Sequence, residues 1–131
     1  MLKRRIRVLF KGLKQYPGNA DDIAKQIIKD CYNKEKDYFM VSSPNGHFNE
    51  FYCRDFGWCT EALLKLGYRK EVLNTLSYAL RIFERYGKIE QSINPGGKPF
   101  TFPDKYSPDA LAFIIRSLKL AKANDLIKKG N

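Results

Sequence analysis

Apolar residues Leu2, Ile6, Leu9, Phe10 and Leu13 recur at the three-and-four spacing of an amphipathic helix, and Tyr16-Pro17-Gly18-Asn19 closes the segment with turn chemistry. This predicts a basic N-terminal helix within residues 1–18. Asn19 is then placed to cap a second helix over 20–33, with Asp21 and Asp22 in its first turn and Ile23, Ala24, Ile27, Ile28 and Cys31 on one face. The pattern changes from Lys36 onward. A short extended piece around Tyr38 to Val41 leads into a Pro44-Asn45-Gly46 turn and further aromatics, which reads as a long, ordered connection. A third helix is expected over 55–66, with Gly67 in the place of a C′ glycine. A fourth is expected over 69–86, with Val72, Leu76, Ala79, Phe83 and Tyr86 on one face, and it ends at Gly87. Residues 88–106 hold three prolines and no helical period. Ser107, Pro108 and Asp109 then give a start signal for a last helix over 107–121.

The helices fall into two kinds. Those at 20–33 and 69–86 have a wet outer face, whereas those at 55–66 and 107–121 are apolar around more of their circumference. Outer and inner helices joined by short turns at one end and long aromatic loops at the other are the ingredients of a toroid of α-hairpins. The expectation is one all-α domain over residues 1–131, an incomplete (α/α) toroid with its long loops at one end. Strand alternation competes only near Phe39 and over Phe100 to Phe102.

The net charge of +10 is unevenly placed. Residues 1–14 carry six Lys/Arg and no acid, residues 116–131 carry five against Asp125, and the middle is neutral. Basic end segments suit a solvated helix face, a phosphate backbone or an anionic surface. Most aromatics lie in the neutral middle, so the interleaving of cations and stacking rings used by single-strand binders is missing and nucleic acid is disfavoured. The longest apolar run of the N-terminal segment, Val8-Leu9-Phe10, is too short for a signal core or a membrane span. Cys31, Cys53 and Cys59 form an odd set without metal-ligand spacing, which points to reduced thiols and a cytoplasmic protein. His47 has no ligand partner, and Asn94-Pro95-Gly96-Gly97 lacks the following Lys-Ser/Thr helix start of a phosphate loop. No metal and no cofactor are expected.

The stretch YCRDFGWCTEALLKLGYRKEVLNTLSYALRIFERYGKI, followed by YSPDALAFIIRSL, resembles the six-hairpin glycosidases of the (α/α)6 barrel type, among them neutral invertases, glucoamylases and debranching glucosidases. The matching features are an Arg-Asp pair opening an inner helix, Gly67 between inner and outer helices, an outer helix ending in Tyr-Gly-Lys-Ile, and a Pro-Asp opening the next inner helix. The likeness spans roughly residues 51–118, about half of the chain. It implies a carbohydrate ligand, a glucoside or oligosaccharide, gripped by Arg54 and Asp55. Trp58 or a loop aromatic such as Tyr52 would be the stacking surface, with Asp109 at the same end. In the invertase branch the Asp of a similar motif is the acid, which falls on Asp55 as the candidate catalytic residue.

Glycoside hydrolysis needs two carboxyl groups about 5 to 9.5 Å apart, one of them held protonated. Asp55 and Asp109 both stand at expected helix starts, where the dipole lowers a carboxyl pKa. Such a position suits accepting hydrogen bonds from hydroxyls better than giving a proton, and Asp55 as the N-cap of its helix is the plain alternative. The aromatics Tyr38, Phe39, Phe48, Phe51, Tyr52, Phe56 and Trp58 suit a carbohydrate platform or a core. A whole barrel takes about a dozen helices at roughly 30 residues per hairpin. The expectation is therefore a glycosidase-like carbohydrate-binding domain, incomplete relative to the full barrel and inactive alone, completed by another chain or copy. Two alternatives stand beside it: a self-associating helical protein without catalysis, and a basic-ended binder of nucleic acid or anionic surfaces.

Overall fold

The structure is a computed structural model that describes residues 14–43, 46–102, 107–123 and 125–128. Most of the expected N-terminal helix and the Pro44-Asn45 part of the expected turn lie outside the described residues, and residues 14–18 are not helical. The elements are α1 (Ala20–Cys31), β1 (Tyr32–Asn33), β2 (Tyr38–Phe39), β3 (Phe51–Tyr52), α2 (Cys53–Lys65), α3 (Arg69–Tyr86), β4 (Ser92–Ile93), β5 (Pro99–Phe100), α4 (Asp109–Ala121) and the single turn α5 (Asp125–Lys128).

The fold is mixed α/β, which corrects the all-α expectation. β1 and β2 form an antiparallel hairpin pairing Tyr32 with Phe39. β3, β4 and β5 form a second antiparallel sheet in that order, with Phe51 opposite Ile93 and Ser92 opposite Phe100. Each strand has two residues, too few for a period of two to emerge above loop composition. The polar side chains that shape these connections are local. Asn33 Oδ1 accepts from the backbone N–H of Glu35 and Lys36, and Asp37 takes a positive φ of 56° to close the first hairpin.

Helix ends follow the chain's punctuation. Asn19 Oδ1 accepts from Asp22 N at 3.0 Å, as an N-cap should. Three helices end in the same double hydrogen-bonded motif with a left-handed residue at its centre: Gly67 after α2, Gly87 after α3 and Lys122 after α4. In each, the residue after the left-handed one donates back across the last turn: Tyr68 to Leu63 O, Lys88 to Phe83 O and Ala123 to Leu118 O.

α2 and α4 lie side by side and run in the same direction, as the matched contacts Arg54 with Asp109, Gly57 with Phe113 and Thr60 with Ser117 require. The approach at Gly57 is close: a Cβ there would sit 2.5 Å from Phe113 Cδ1. α3 returns in the opposite sense, because it follows α2 through the tight turn at Gly67 and its first residue, Arg69, donates to Ala121 O at the end of α4. That guanidinium satisfies a carbonyl at the negative end of a helix. Val72, Leu76, Ala79 and Ile82 of α3 are buried with Phe51, Ile93 and Ile114 in one core. β2 is tied to α3 by Phe39 N donating to Thr75 Oγ1 at 3.0 Å.

α1 is different. Its apolar face is evident in the sequence, yet none of its residues is buried. Ile28 and Cys31 touch the core from outside, while Ile27 is exposed. The three-stranded sheet sits at the N-terminal ends of α2 and α4, since β3 runs directly into α2 and Cys53 N donates to Gln91 O beside β4. The long connections thus gather where the parallel helices begin.

Candidate functional site

Tyr52 is the N-cap residue of α2 and makes no side-chain cap, so Asp55 stands within the first turn instead of capping it. The N-cap reading of Asp55 is therefore wrong. At α4 the N-cap is Pro108, and the Ser107 hydroxyl donates to Asp109 Oδ1 instead of accepting from the helix.

Arg54 reaches across to α4. Its Nε donates to Asp109 Oδ2 at 2.6 Å, and a second guanidinium nitrogen closes on the same oxygen. The Asp109 carboxyl is held below its ordinary value first by the Ser107 hydroxyl and then by Arg54. Both of its oxygens are engaged and it remains an anion, so it is no proton donor. The pair stays partly open, with 51% of the Arg54 side chain and 32% of the Asp109 side chain exposed.

Aromatic rings gather at the same end of α2. Tyr52 meets Phe48 edge to face at 6.5 Å and Phe100 at 6.3 Å. Phe102, at the end of the β5 connection, is 79% exposed, and its backbone N–H donates to Gln91 Oε1 at 3.2 Å. One turn along α2 from Arg54, Trp58 is 66% exposed and lies 5.5 Å from Phe113, with the Arg116 guanidinium 5.9 Å over its ring. Arg116 also donates to Gly57 O and approaches Glu61 Oε2 at 3.5 Å. Of the aromatics expected as a platform or a core, Tyr38, Phe39, Phe51 and Phe56 are buried and belong to the core.

Asp55 is not part of the Arg54 and Asp109 pair. It lines an apolar cleft of about 270 Å³ on the other side of α2, with Ile27, Cys31, Val41 and Cys59, and Tyr52 also borders that cleft. Among the described residues Asp55 has no ion-pair partner and no side-chain hydrogen bond. One helix separates the two carboxylates by face, and the Arg-Asp dipeptide does not act as a unit because consecutive helical residues point about 100° apart. Among the described residues the carboxyl groups with displaced acidity, Asp30, Glu61, Glu90 and Asp109, are displaced downward. The Arg54–Asp109 pair holds hydrogen-bond donors and acceptors in place, and its carboxyl, held as the anion, is unsuited to general acid work.

The thiols are equally quiet. Cys53 is fully buried, its Sγ 3.2 Å from Glu90 O, and burial pushes its pKa up to about 12. Burial and then Asp55 raise Cys59. Among the described residues no three His, Cys, Asp or Glu side chains are grouped to hold a metal ion, and no helix is long and apolar enough to cross a membrane.

Sequence reasoning missed Ser107 as the anchor of Asp109 and Arg116 as the partner of Trp58. The Arg116 partnership arises from packing of α4 on α2, whereas the Ser107 contact is local, and a serine two residues before an aspartate could have suggested it. No family model matches the chain, and neither a curated protein nor a solved structure is similar to it, so the site is read from its own chemistry.

Proposed function

We propose that the chain is a carbohydrate-binding domain of glycoside hydrolase type that does not hydrolyse glycosides by itself. The observation that carries this reading is the Arg54–Asp109 pair joining the first turns of two parallel helices, with the aromatic rim of Tyr52, Phe48, Phe100 and Phe102 at the same end. A partly open guanidinium and carboxylate offer donors and acceptors to vicinal hydroxyls, and an exposed ring offers a face to the C–H side of a sugar. The paired Asp109 and the separately placed Asp55 supply no matched acid and base. Trp58 is the single tryptophan, so its fluorescence reports on this region without ambiguity. Titration with glucose, sucrose and malto-oligosaccharides should give a saturable change that Arg54→Ala weakens at least about tenfold, the scale of one charge-assisted hydrogen bond. Absence of any saturable response, or an identical response in the variant, would remove the reading. Turnover of a glucoside by the pure chain would overturn the claim that it is inactive alone.

A second reading is favoured by a separate observation. Leu111 and Ile115 on α4 are each 43% exposed and stand on the helix that carries Phe113 under Trp58. Exposed apolar side chains on adjoining helices mark an association surface, here for another copy or for a complementing helical chain. Sedimentation at increasing concentration should show self-association that Leu111→Glu with Ile115→Glu abolishes. A monomer at all concentrations would count against a second copy.

A further inference from the structure

α3 carries polar groups that the site above does not use. A groove of about 720 Å³ runs along it, bordered by the β1–β2 turn and by Gly96 and Gly97 of the β4–β5 turn. Tyr78 lines this groove. Its ring is 5% exposed and stacks on Tyr38 at 4.4 Å and 8°, and its hydroxyl is buried with no hydrogen-bond partner among the described residues. A buried hydroxyl left unsatisfied is costly, so it calls for a partner that the described residues do not provide. Burial, reinforced by Tyr38, pushes the phenol up to about 12, while Arg81 pulls it back. The hydroxyl is therefore a donor, and it lies within the field of the Arg81 guanidinium.

Arg81 and Arg85 stand one helical turn apart on the groove side of α3. Among the described residues neither has a hydrogen-bond or ion-pair partner, and both are exposed. The third cation of the groove, Lys36, is committed to Pro95 O. The acids of the groove are Glu35 and Asp37. Asp37 accepts from the Tyr32 hydroxyl, which in turn accepts from Asn74 Nδ2. That network fixes Asp37 near Asn74, about 10 Å along the helix from Arg81 at 1.5 Å per residue. The groove is thus polarised, with acceptors at the Asn74 end and two unpaired guanidiniums at the other.

We propose that the Arg81 and Arg85 end of this groove binds a dianionic phosphate group, free or as the monoester of a small hydroxylated compound. Two guanidiniums and a protonated phenol each donate, and the charged oxygens of a phosphate dianion accept. Tyr78, which lines the same groove, supplies the third donor. The site is independent of the Arg54–Asp109 pair.

The test is a titration of the full chain followed by nuclear magnetic resonance of backbone amides and arginine side chains, using glucose 6-phosphate, inorganic phosphate and glucose as probes. Saturable shifts at Tyr78, Arg81 and Arg85 with either phosphate compound are expected, and glucose should produce none there. The tighter of the two phosphate probes assigns the source, ester or free anion. Arg81→Gln with Arg85→Gln should weaken binding at least about tenfold, and Tyr78→Phe, which keeps the ring stack, should weaken it by a smaller factor. Both variants are checked for an unchanged fold by circular dichroism. Absence of shifts with both phosphate probes, equal binding of glucose, or unchanged affinity in the double arginine variant would overturn the proposal.

Discussion

At the scale of single residues, the arginine and aspartate that begin α2 have separate duties. Arg54 serves Asp109, and Asp55 borders the cleft under α1. An open ion pair of this kind contributes less than about 1 kcal/mol. Because the folded pKa of Asp109 is depressed, its contribution is present above the unfolded carboxyl value near about 4 and fades as the pH falls through the folded value. Arg54→Ala should therefore be less stable than the parent at pH 7 by up to about 1 kcal/mol, and urea titrations repeated below pH about 4 should bring the two curves together. A second expectation concerns the thiols. Exposed Cys59 should be alkylated in the native protein, more slowly than a free thiol, whereas Cys53 should react only after unfolding. Mass mapping of labelled sites at pH 8 distinguishes them. Arg54, Asp109, Tyr52 and Trp58 were legible in the sequence as residues at one end of two helices. The pairing of residues 54 and 109 was not, because it depends on the register between helices 55 residues apart.

Elements were legible where the repeat was long. α3 has the bounds its apolar period predicts, α2 starts two residues sooner and ends one sooner, α4 starts two residues later, and α1 stops two residues sooner to enter a strand. The strands escaped because two residues cannot display alternation, and their pairing is dictated by main-chain hydrogen bonds instead of side chains. Gly57 had no legible meaning either, since a glycine inside a helix reads as a weakness. In the folded chain it admits Phe113. Gly57→Ala gains about 1 kcal/mol of helix propensity but forces a contact of 2.5 Å with a ring packed on Trp58. Overpacking costs about 1 to 3 kcal/mol, so a net loss of stability is expected by thermal unfolding. The end of α4 offers the reverse case. Lys122 adopts a φ of 50° where the other two helices place glycine. Lys122→Gly should stabilise by up to about 1 kcal/mol, read as a rise in Tm of a few degrees.

At the scale of the whole molecule, charge and apolar surface are distributed separately. The formal excess lies in residues 1–14 and 116–131, whereas the open rings among the described residues lie at Phe48, Trp58, Tyr86 and Phe102. Binding to polyanions, if it occurs, should then fall steeply with salt, while sugar binding at the rim should be nearly indifferent to it. Isothermal titration at two ionic strengths separates the two. α1 adds a consequence of a different sort. A helix of twelve residues with none of them buried opens at little cost in burial, and Lys14 and Tyr16 meet Asp30 close to its end. Amide exchange should therefore divide the chain into two cooperative units. Protons within α1 should be lost by a local excursion, long before those of Leu76, Ala79 and Ile114, whose release must await collapse of the entire core. A protease acting under native conditions should accordingly cut α1 before it cuts the parallel helices or their sheet.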